Sequence, residues 1–211
     1  AEIVSVVLPK PMSGDPIIIS DDGNGMTEQE LRNHYLFIAS DRRSRRGERT
    51  SRKNRAIKGR KGIGKFAGLM AASVMTLETR ARGKLCRFTL RLDDLAKVDD
   101  IESLNIKFHK EDCSIDLHGT TVSLLDLHQG MAHPDANRMR QVLLQDYGRQ
   151  DDFLVSVDGK RLDVDDISGS YTECTNEDSV AGLVKTRFAI SDGKTGLRQP
   201  GITLRVDGKS V

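Results

Sequence analysis

The sequence predicts an α+β fold, in which a mixed β-sheet is covered by helices on one face. Helical spacing of apolar residues marks Thr27–Ile38 and Asp135–Tyr147, whereas β-branched, alternating runs recur between them. Helices segregated from strands in this way are typical of the α+β class. The predicted strands of the sheet lie near residues 2–8, 17–21, 74–79, 85–92, 106–110 and 120–125.

The apolar strand Ile17–Asp21 runs directly into the turn Asp21-Asp22-Gly23-Asn24-Gly25-Met26. A carboxylate at the end of a strand can accept a hydrogen bond from the exocyclic amine of a purine, and glycines let a flat ring approach the backbone closely. The alternative is an ordinary turn, because Asp-Gly and Asn-Gly are common turn dipeptides without chemistry. The next element, a helix, begins at the capping box Thr27-Glu28-Gln29-Glu30.

A second glycine cluster, Gly59-Arg60-Lys61-Gly62-Ile63-Gly64-Lys65-Phe66, opens a helix-like apolar segment that continues to Ala72. Exposed N–H groups and the positive end of a helix dipole form an anion site, to which Lys61 and Lys65 add charge. The spacing fits neither a Walker A loop nor the Rossmann fingerprint. A glycine-rich helix start without function is the alternative.

A third element, Gly119-Thr120, opens the alternating strand that continues through Leu124. Taken alone, the pair is ordinary strand punctuation. In this order, however, the three elements resemble the GHKL ATPase superfamily, which groups gyrase B, the ninety-kilodalton heat-shock chaperones, histidine kinases and the MutL repair proteins. The Asp-x-Gly-x-Gly box of that family matches Asp21, Gly23 and Gly25, its second glycine box matches Gly59, Gly62 and Gly64, and its Gly-Thr pair matches Gly119 and Thr120.

The resemblance implies a Bergerat-type two-layer sandwich that binds ATP with Mg²⁺. By this carry-over Asp21 holds the adenine amine, Thr120 supports the same contact through ordered water, and Met26 packs on the ring, although core filling would suit a methionine equally. Lys65 would wrap the phosphates with the glycines, or be a solvated lysine. The full predicted nucleotide set is Asp21, Gly23, Asn24, Gly25, Met26, Gly59, Lys61, Gly62, Ile63, Gly64, Lys65, Phe66 and Thr120.

In the family, a helix ahead of the first strand carries a Glu that activates water and an Asn that holds Mg²⁺. This chain instead starts with a strand-like Glu2–Leu8 segment, so we assign it no catalytic residue and no metal ligand. We expect that the helix lies upstream in a longer parent or has been lost. ATP binding should then survive better than hydrolysis, with little or no turnover by this chain alone.

Although the net charge is only +2, the segment from Arg42 to Lys61 is strongly basic and contains the single acid Glu48. One hypothesis is a lid, at about residues 40–60, that moves over the triphosphate, which is where the family places a variable segment. The other is nucleic-acid binding through residues 42–61, driven by counterion release. Few aromatic residues interleave the run, so base stacking is not expected.

We predict an ATP-binding domain at residues 1–150 and a β-rich segment at 151–211 that could begin a transducer-like domain. The helix Asp135–Tyr147 would close the first domain with Met139, Val142 and Leu143 on its buried face. The β-rich segment contains a predicted hairpin around Asp158-Gly159 and two further strands, Leu183–Ile190 and Ile202–Val206.

The best match within the resemblance is a chaperone-like, MORC-like or repair-like ATPase that couples ATP binding to lid closure and homodimerisation. A histidine-kinase-type catalytic domain is an alternative, less favoured because no phosphoacceptor helix pair is present. A nucleic-acid-binding module acting through the basic segment is the competing class. No apolar run approaches a membrane span, no signal-peptide pattern is present, and the three cysteines lack zinc spacing, so we expect a cytoplasmic protein with reduced thiols.

Overall fold

The protein is described by a computed structural model that covers residues 1–36, 64–98, 104–129, 133–147, 153–162, 169–180, 182–191, 205–206 and 209–210. The chain divides into two compact units, Ala1–His133 and Pro134–Val211. The basic run and the predicted lid lie outside the described residues. The predicted functional division at residue 150 stays a prediction.

The first unit contains an extensive sheet with the strand order β5-β4-β3-β6-β2-β1. Each of these strands pairs antiparallel with its neighbour. The α+β class and the Bergerat-type sheet predicted from the sequence are confirmed. The strands are β1 (Ile3–Val7), β2 (Ile17–Asp21), β3 (Ala72–Ala81), β4 (Lys84–Arg91), β5 (His109–Asp112) and β6 (Gly119–Leu127).

The hydrophobic core lies on one face of this sheet. Directly paired residues of antiparallel strands project to the same side, so the apolar residues of neighbouring strands meet on that face. Met75 and Leu77 of β3 are fully buried there, and Phe88 and Leu90 of β4 are nearly so. Leu77 is paired with Phe88 and with Val122, and Met75 is paired with Leu90 and with Leu124. The opposite face of β3 and β4 is polar, as the pairs Thr76↔Thr89 and Glu78↔Arg87 illustrate.

The helix after β2 begins at the predicted capping box. The Thr27 side chain accepts from the Glu30 N–H while the Glu30 carboxylate accepts from the Thr27 N–H. The α-helical part, α1 (Glu28–Glu30), continues as a π-helical turn over Leu31–Tyr35. Leu31 is fully buried, and the Tyr35 ring lies 6.2 Å from that of Phe88, so this element covers the core face of β4.

The predicted helix before β3 is a 3-10 helix, Gly64–Met70, and a short helix α2 (Leu92–Leu95) follows β4. The predicted strand at 106–110 is displaced to His109–Asp112. Phe108 is apolar because its ring packs against that of Phe88, with the ring centroids 5.4 Å apart, and not because it belongs to the strand. The pairing with β4 starts only at His109.

The second unit begins with α3 (Ala136–Tyr147), followed by β7 (Leu154–Val157) and β8 (Lys160–Arg161). The predicted buried face of α3 is off by one residue, because Arg140 and Leu144 are its buried positions while Met139, Val142 and Leu143 are half-buried. Asp158 and Gly159 both have positive φ, as a tight hairpin requires. The remaining strands are β9 (Gly169–Asp178), β10 (Gly182–Ser191), β11 (Arg205–Val206) and β12 (Lys209–Ser210).

Candidate nucleotide site

A row of paired residues, mostly polar, crosses the core face of the sheet next to the apolar pairs formed by Met75 and Leu77. Asp21 of β2 is paired with Thr120 of β6, and Thr120 is paired in turn with Thr79 of β3. The next residue of the row, on β4, is the buried Cys86. The sheet register thus brings together the two residues that the sequence predicted for adenine binding, Asp21 and Thr120, and adds a third, Thr79.

Asp21 is half-buried at the end of β2, and its Oδ1 accepts a hydrogen bond of 2.7 Å from the N–H of Gly23. Burial raises the pKa of this carboxyl above its ordinary value of 3.8, an effect that the Gly23 N–H opposes and the neighbouring Asp22 carboxylate reinforces. An ionised carboxylate offers only acceptors. The arrangement is therefore suited to a ligand that presents an N–H donor, such as an exocyclic amine.

Two glycines are required by the close packing of this loop on the sheet. Gly25 has φ +62°, and a Cβ there would lie 1.8 Å from the carbonyl oxygen of Arg80. Gly119 has φ +122°, and its Cβ would lie 2.3 Å from the carbonyl oxygen of Asp21. No other residue type fits either position without moving the backbone. The Asp-x-Gly-x-Gly box and the Gly-Thr pair are thus pressed against the same end of β3 and β2.

The loop is also fixed by Asp22 and His118. Asp22 Oδ1 accepts from the backbone N–H groups of Glu2 at 2.6 Å and Ile3 at 2.8 Å. His118 Nδ1 lies 2.9 Å from the carbonyl oxygen of Gly23. Asp22 therefore faces the start of β1, while Asp21 belongs to the polar row.

Thr79 belongs to the polar row but to none of the three sequence motifs, so it was not predicted. It is fully buried, and its Oγ1 accepts from the Met26 N–H at 2.9 Å, donates to the Gly119 carbonyl at 3.1 Å and lies 3.2 Å from Thr120 Oγ1. One hydroxyl thus joins the first glycine box to the Gly-Thr pair. The available signal was the alternation of β3, which assigns Thr79 to the same buried face as Met75 and Leu77.

The other predicted residues of the first box are placed on the same loop. Asn24 is exposed and the Met26 side chain is half-buried. The contact of Met26 with Thr79 is made by its backbone N–H, so it does not depend on the methionine side chain.

The second glycine box is described in part. Gly59, Lys61, Gly62 and Ile63 lie outside the described residues, whereas Gly64, Lys65 and Phe66 form the first turn of the 3-10 helix. This helix lies on the core face, since a Cβ on Gly68 would be 2.5 Å from Leu124 Cδ2. Leu124 projects to the same side of β6 as Thr120, about 13 Å further along the strand. The 3-10 helix that begins at Gly64 therefore lies on the same face of the sheet as the polar row.

Among the described residues, no group of three or more His, Cys, Asp or Glu side chains is arranged to hold a metal ion. In that same part of the chain, no helix is long and apolar enough to cross a membrane. Cys86, Cys113 and Cys174 are free thiols.

The chain belongs to the family of histidine kinase-, DNA gyrase B- and HSP90-like ATPases, whose family model matches residues 1–120. The fold is similar to that of the ATPase region of Saccharomyces cerevisiae topoisomerase II bound to ICRF-187 (dexrazoxane), with 15% identity, a TM-score of 0.51 and coverage of 77% of this chain and 43% of that one. It is also similar to the ATPase and transducer domains of DNA topoisomerase II from Balamuthia mandrillaris, with 15% identity, a TM-score of 0.50 and coverage of 76% and 42%.

The chain thus spans less than half the length of these two structures. No curated protein matches it. The two likenesses support the fold, and the family match supports a GHKL-type ATP-binding domain.

Proposed function

We propose that this chain binds ATP on the core face of its sheet, with Asp21 accepting from the adenine amine and Thr120 supporting that contact. The observation that carries the proposal is the polar row Asp21–Thr120–Thr79, closed by two glycines that tolerate no side chain. Gly23, Asn24, Gly25 and Met26 would line the base and sugar.

In this proposal the phosphates lie at the second glycine box, where Gly59, Lys61, Gly62, Ile63, Gly64, Lys65 and Phe66 provide N–H groups and positive charge. Mg²⁺ would arrive with the nucleotide, because protein-bound Mg²⁺ is commonly held by substrate phosphates and only one or two carboxylates. The metal would offset the negative charge of the phosphates.

We further propose that ATP binding closes the basic segment over the triphosphate and favours a homodimer, in a chaperone-like cytoplasmic protein. The support is the family match together with the composition of residues 42–61, whose positive charge the triphosphate would attract. Closure requires that ATP contact the closed state more favourably than the open one. Turnover of ATP is expected to be slow or absent and is measured as phosphate release.

The test is calorimetric titration of the chain and of two variants with a non-hydrolysable ATP analogue and Mg²⁺. Asp21→Asn replaces an acceptor oxygen with an NH₂ donor opposite the adenine amine, so we expect affinity to fall at least about 100-fold, as expected when a buried polar contact is left unpaired. Asp22→Asn is the matched control, because an amide oxygen can still accept from Glu2 and Ile3. Equal affinity of Asp21→Asn and the unmodified chain would refute the adenine assignment.

The second candidate function is nucleic-acid binding through residues 42–61, favoured by the concentration of Arg and Lys in that run. Binding to duplex DNA would weaken steeply with salt because counterions are released. Salt-sensitive DNA binding that survives Asp21→Asn, in a chain without ATP affinity, would favour this function over the first. A histidine-kinase-type activity would instead require phosphoryl transfer to a histidine-containing partner.

A further inference from the structure

Thr79 is fully buried, so its hydroxyl has no exposed surface at which a ligand could bind. Its three neighbours are the Met26 N–H at 2.9 Å, the Gly119 carbonyl oxygen at 3.1 Å and the Thr120 hydroxyl at 3.2 Å. A hydroxyl has one proton to donate and two lone pairs that accept. Three partners therefore use its full hydrogen-bonding capacity.

The identities of these partners fix the direction of every bond. An N–H can only donate, so Met26 uses one lone pair of Thr79. A carbonyl oxygen can only accept, so the single proton of Thr79 points to Gly119. In the one arrangement that makes all three contacts hydrogen bonds, Thr120 donates its own proton to Thr79.

This direction has a consequence for the ligand side of Thr120. Because its only proton is directed at Thr79, Thr120 Oγ1 presents lone pairs alone to anything bound beside it. The paired Asp21 carboxylate, when ionised, also presents acceptors alone. The edge formed by Asp21 and Thr120 can therefore accept hydrogen bonds from a group with N–H donors. It can donate none to a carbonyl oxygen, whose lone pairs its own acceptors repel.

We propose that Thr79 is the positioning residue that sets the base specificity of the site, selecting a 6-aminopurine over a 6-oxopurine by orienting the Thr120 hydroxyl. This inference rests on the proposed function and assigns part of its specificity to a residue inside the sheet. A merely structural role for Thr79 would change the affinity for both purine classes equally.

The experiment compares the dissociation constants of ADP and IDP, which differ only at the six-position of the purine and its adjoining ring nitrogen. Thr79→Val keeps the side-chain shape and removes the hydroxyl, which frees the Thr120 proton to turn towards a 6-oxo group. Thr79→Ser keeps the hydroxyl and serves as the conservative control. If Thr79→Val does not fold, Thr79→Ala removes the same hydroxyl and leaves space in which a water molecule can bond to the Met26 N–H and the Gly119 carbonyl.

We expect the unmodified chain to bind ADP more tightly than IDP. The IDP-to-ADP ratio of dissociation constants should shrink about tenfold in Thr79→Val and be retained in Thr79→Ser, which is the effect of one hydrogen bond. Adding Thr120→Val to Thr79→Val should weaken the binding of both nucleotides and leave the ratio unchanged, because the freed Thr120 hydroxyl can accept from a 6-amino group or donate to a 6-oxo group.

Two results would overturn the inference while leaving the proposed function standing: a folded Thr79→Val chain with the unmodified ratio, or a Thr79→Ser chain whose ratio shrinks as far as that of Thr79→Val. An unmodified chain that binds neither nucleotide would instead overturn the proposed function, and this inference with it.

Discussion

The Asp21 carboxylate is placed where it reduces stability unless a ligand is bound. Its pKa is raised chiefly by burial, and its charge is opposed by the adjacent Asp22 carboxylate. A folded protein that binds a proton more tightly than the unfolded chain loses stability as the pH rises through the folded pKa. At neutral pH the Asp21 carboxylate therefore carries a charge that its burial disfavours, and a donor-bearing ligand would add to the hydrogen bond that it accepts from Gly23.

This placement predicts opposite effects of Asp21→Asn on binding and on stability. At neutral pH the variant should be at least as stable as the unmodified chain in urea denaturation, although it loses the nucleotide. As the pH falls through the raised pKa of Asp21 towards 3.8, the unmodified chain takes up a proton and should gain stability relative to the variant.

Taking the difference between the two chains at each pH removes the contribution of titrating groups that do not interact with Asp21, whereas the neighbouring Asp22 carboxylate still contributes to it. A difference that is independent of pH, or that changes in the opposite direction, would contradict the assignment of a raised pKa to Asp21.

The sequence predicted the three residues of the polar row to very different degrees. Asp21 and Thr120 were found because they belong to short motifs that include a glycine with positive φ, a requirement visible in the sequence itself. Thr79 was not found, because it meets Thr120 only through the pairing of two strands, at a separation of 41 residues. The register that joins them depends on packing of the whole sheet.

The helical elements show how far local signals extend. The capping box correctly predicted where the helix after β2 begins, because both of its hydrogen bonds are made within one turn. The change to a π-helical turn at Leu31 was not predicted, since no local signal distinguishes it from a continuing α-helix. For β5, apolar alternation was misleading because it reflects ring packing on Phe88.

The position of the 3-10 helix can be tested through Gly68, whose missing side chain leaves room for Leu124. Gly68→Ala should lower the free energy of unfolding by about 1 kcal/mol relative to Gly64→Ala, as measured by urea denaturation, because the Cδ2 methyl of the buried Leu124 must move to admit the new Cβ. Gly64→Ala is the matched control in the same helix, because no atom of the described part of the chain lies within 4 Å of a Cβ at that position.

A second substitution strengthens this test. In the Leu124→Val background, the loss caused by Gly68→Ala should be smaller, because the clashing Cδ2 methyl is gone. Equal losses from Gly64→Ala and Gly68→Ala would argue that the helix does not lie against Leu124.

At the scale of the whole molecule, the chain belongs to the family of histidine kinase-, DNA gyrase B- and HSP90-like ATPases. It spans less than half the length of the two topoisomerase II structures that its fold resembles. Because we propose nucleotide-dependent dimerisation, we expect sedimentation velocity to show a larger species when the non-hydrolysable ATP analogue is added. The Asp21→Asn variant should remain unchanged under the same conditions. If the chain binds the analogue but sediments identically with and without it, nucleotide-dependent dimerisation is contradicted and nucleotide binding is not.

The burial of Thr79 also bears on how readily this site could change its preferred ligand over evolutionary time. Residues on a binding loop can be exchanged singly, whereas Thr79 has no exposed surface and connects three segments of the chain. A replacement that removes the hydroxyl leaves the Met26 N–H and the Gly119 carbonyl without this partner, which costs stability whatever the ligand. Drift towards another base would thus be opposed by the requirement to stay folded, so that selection for a stable domain also conserves its nucleotide.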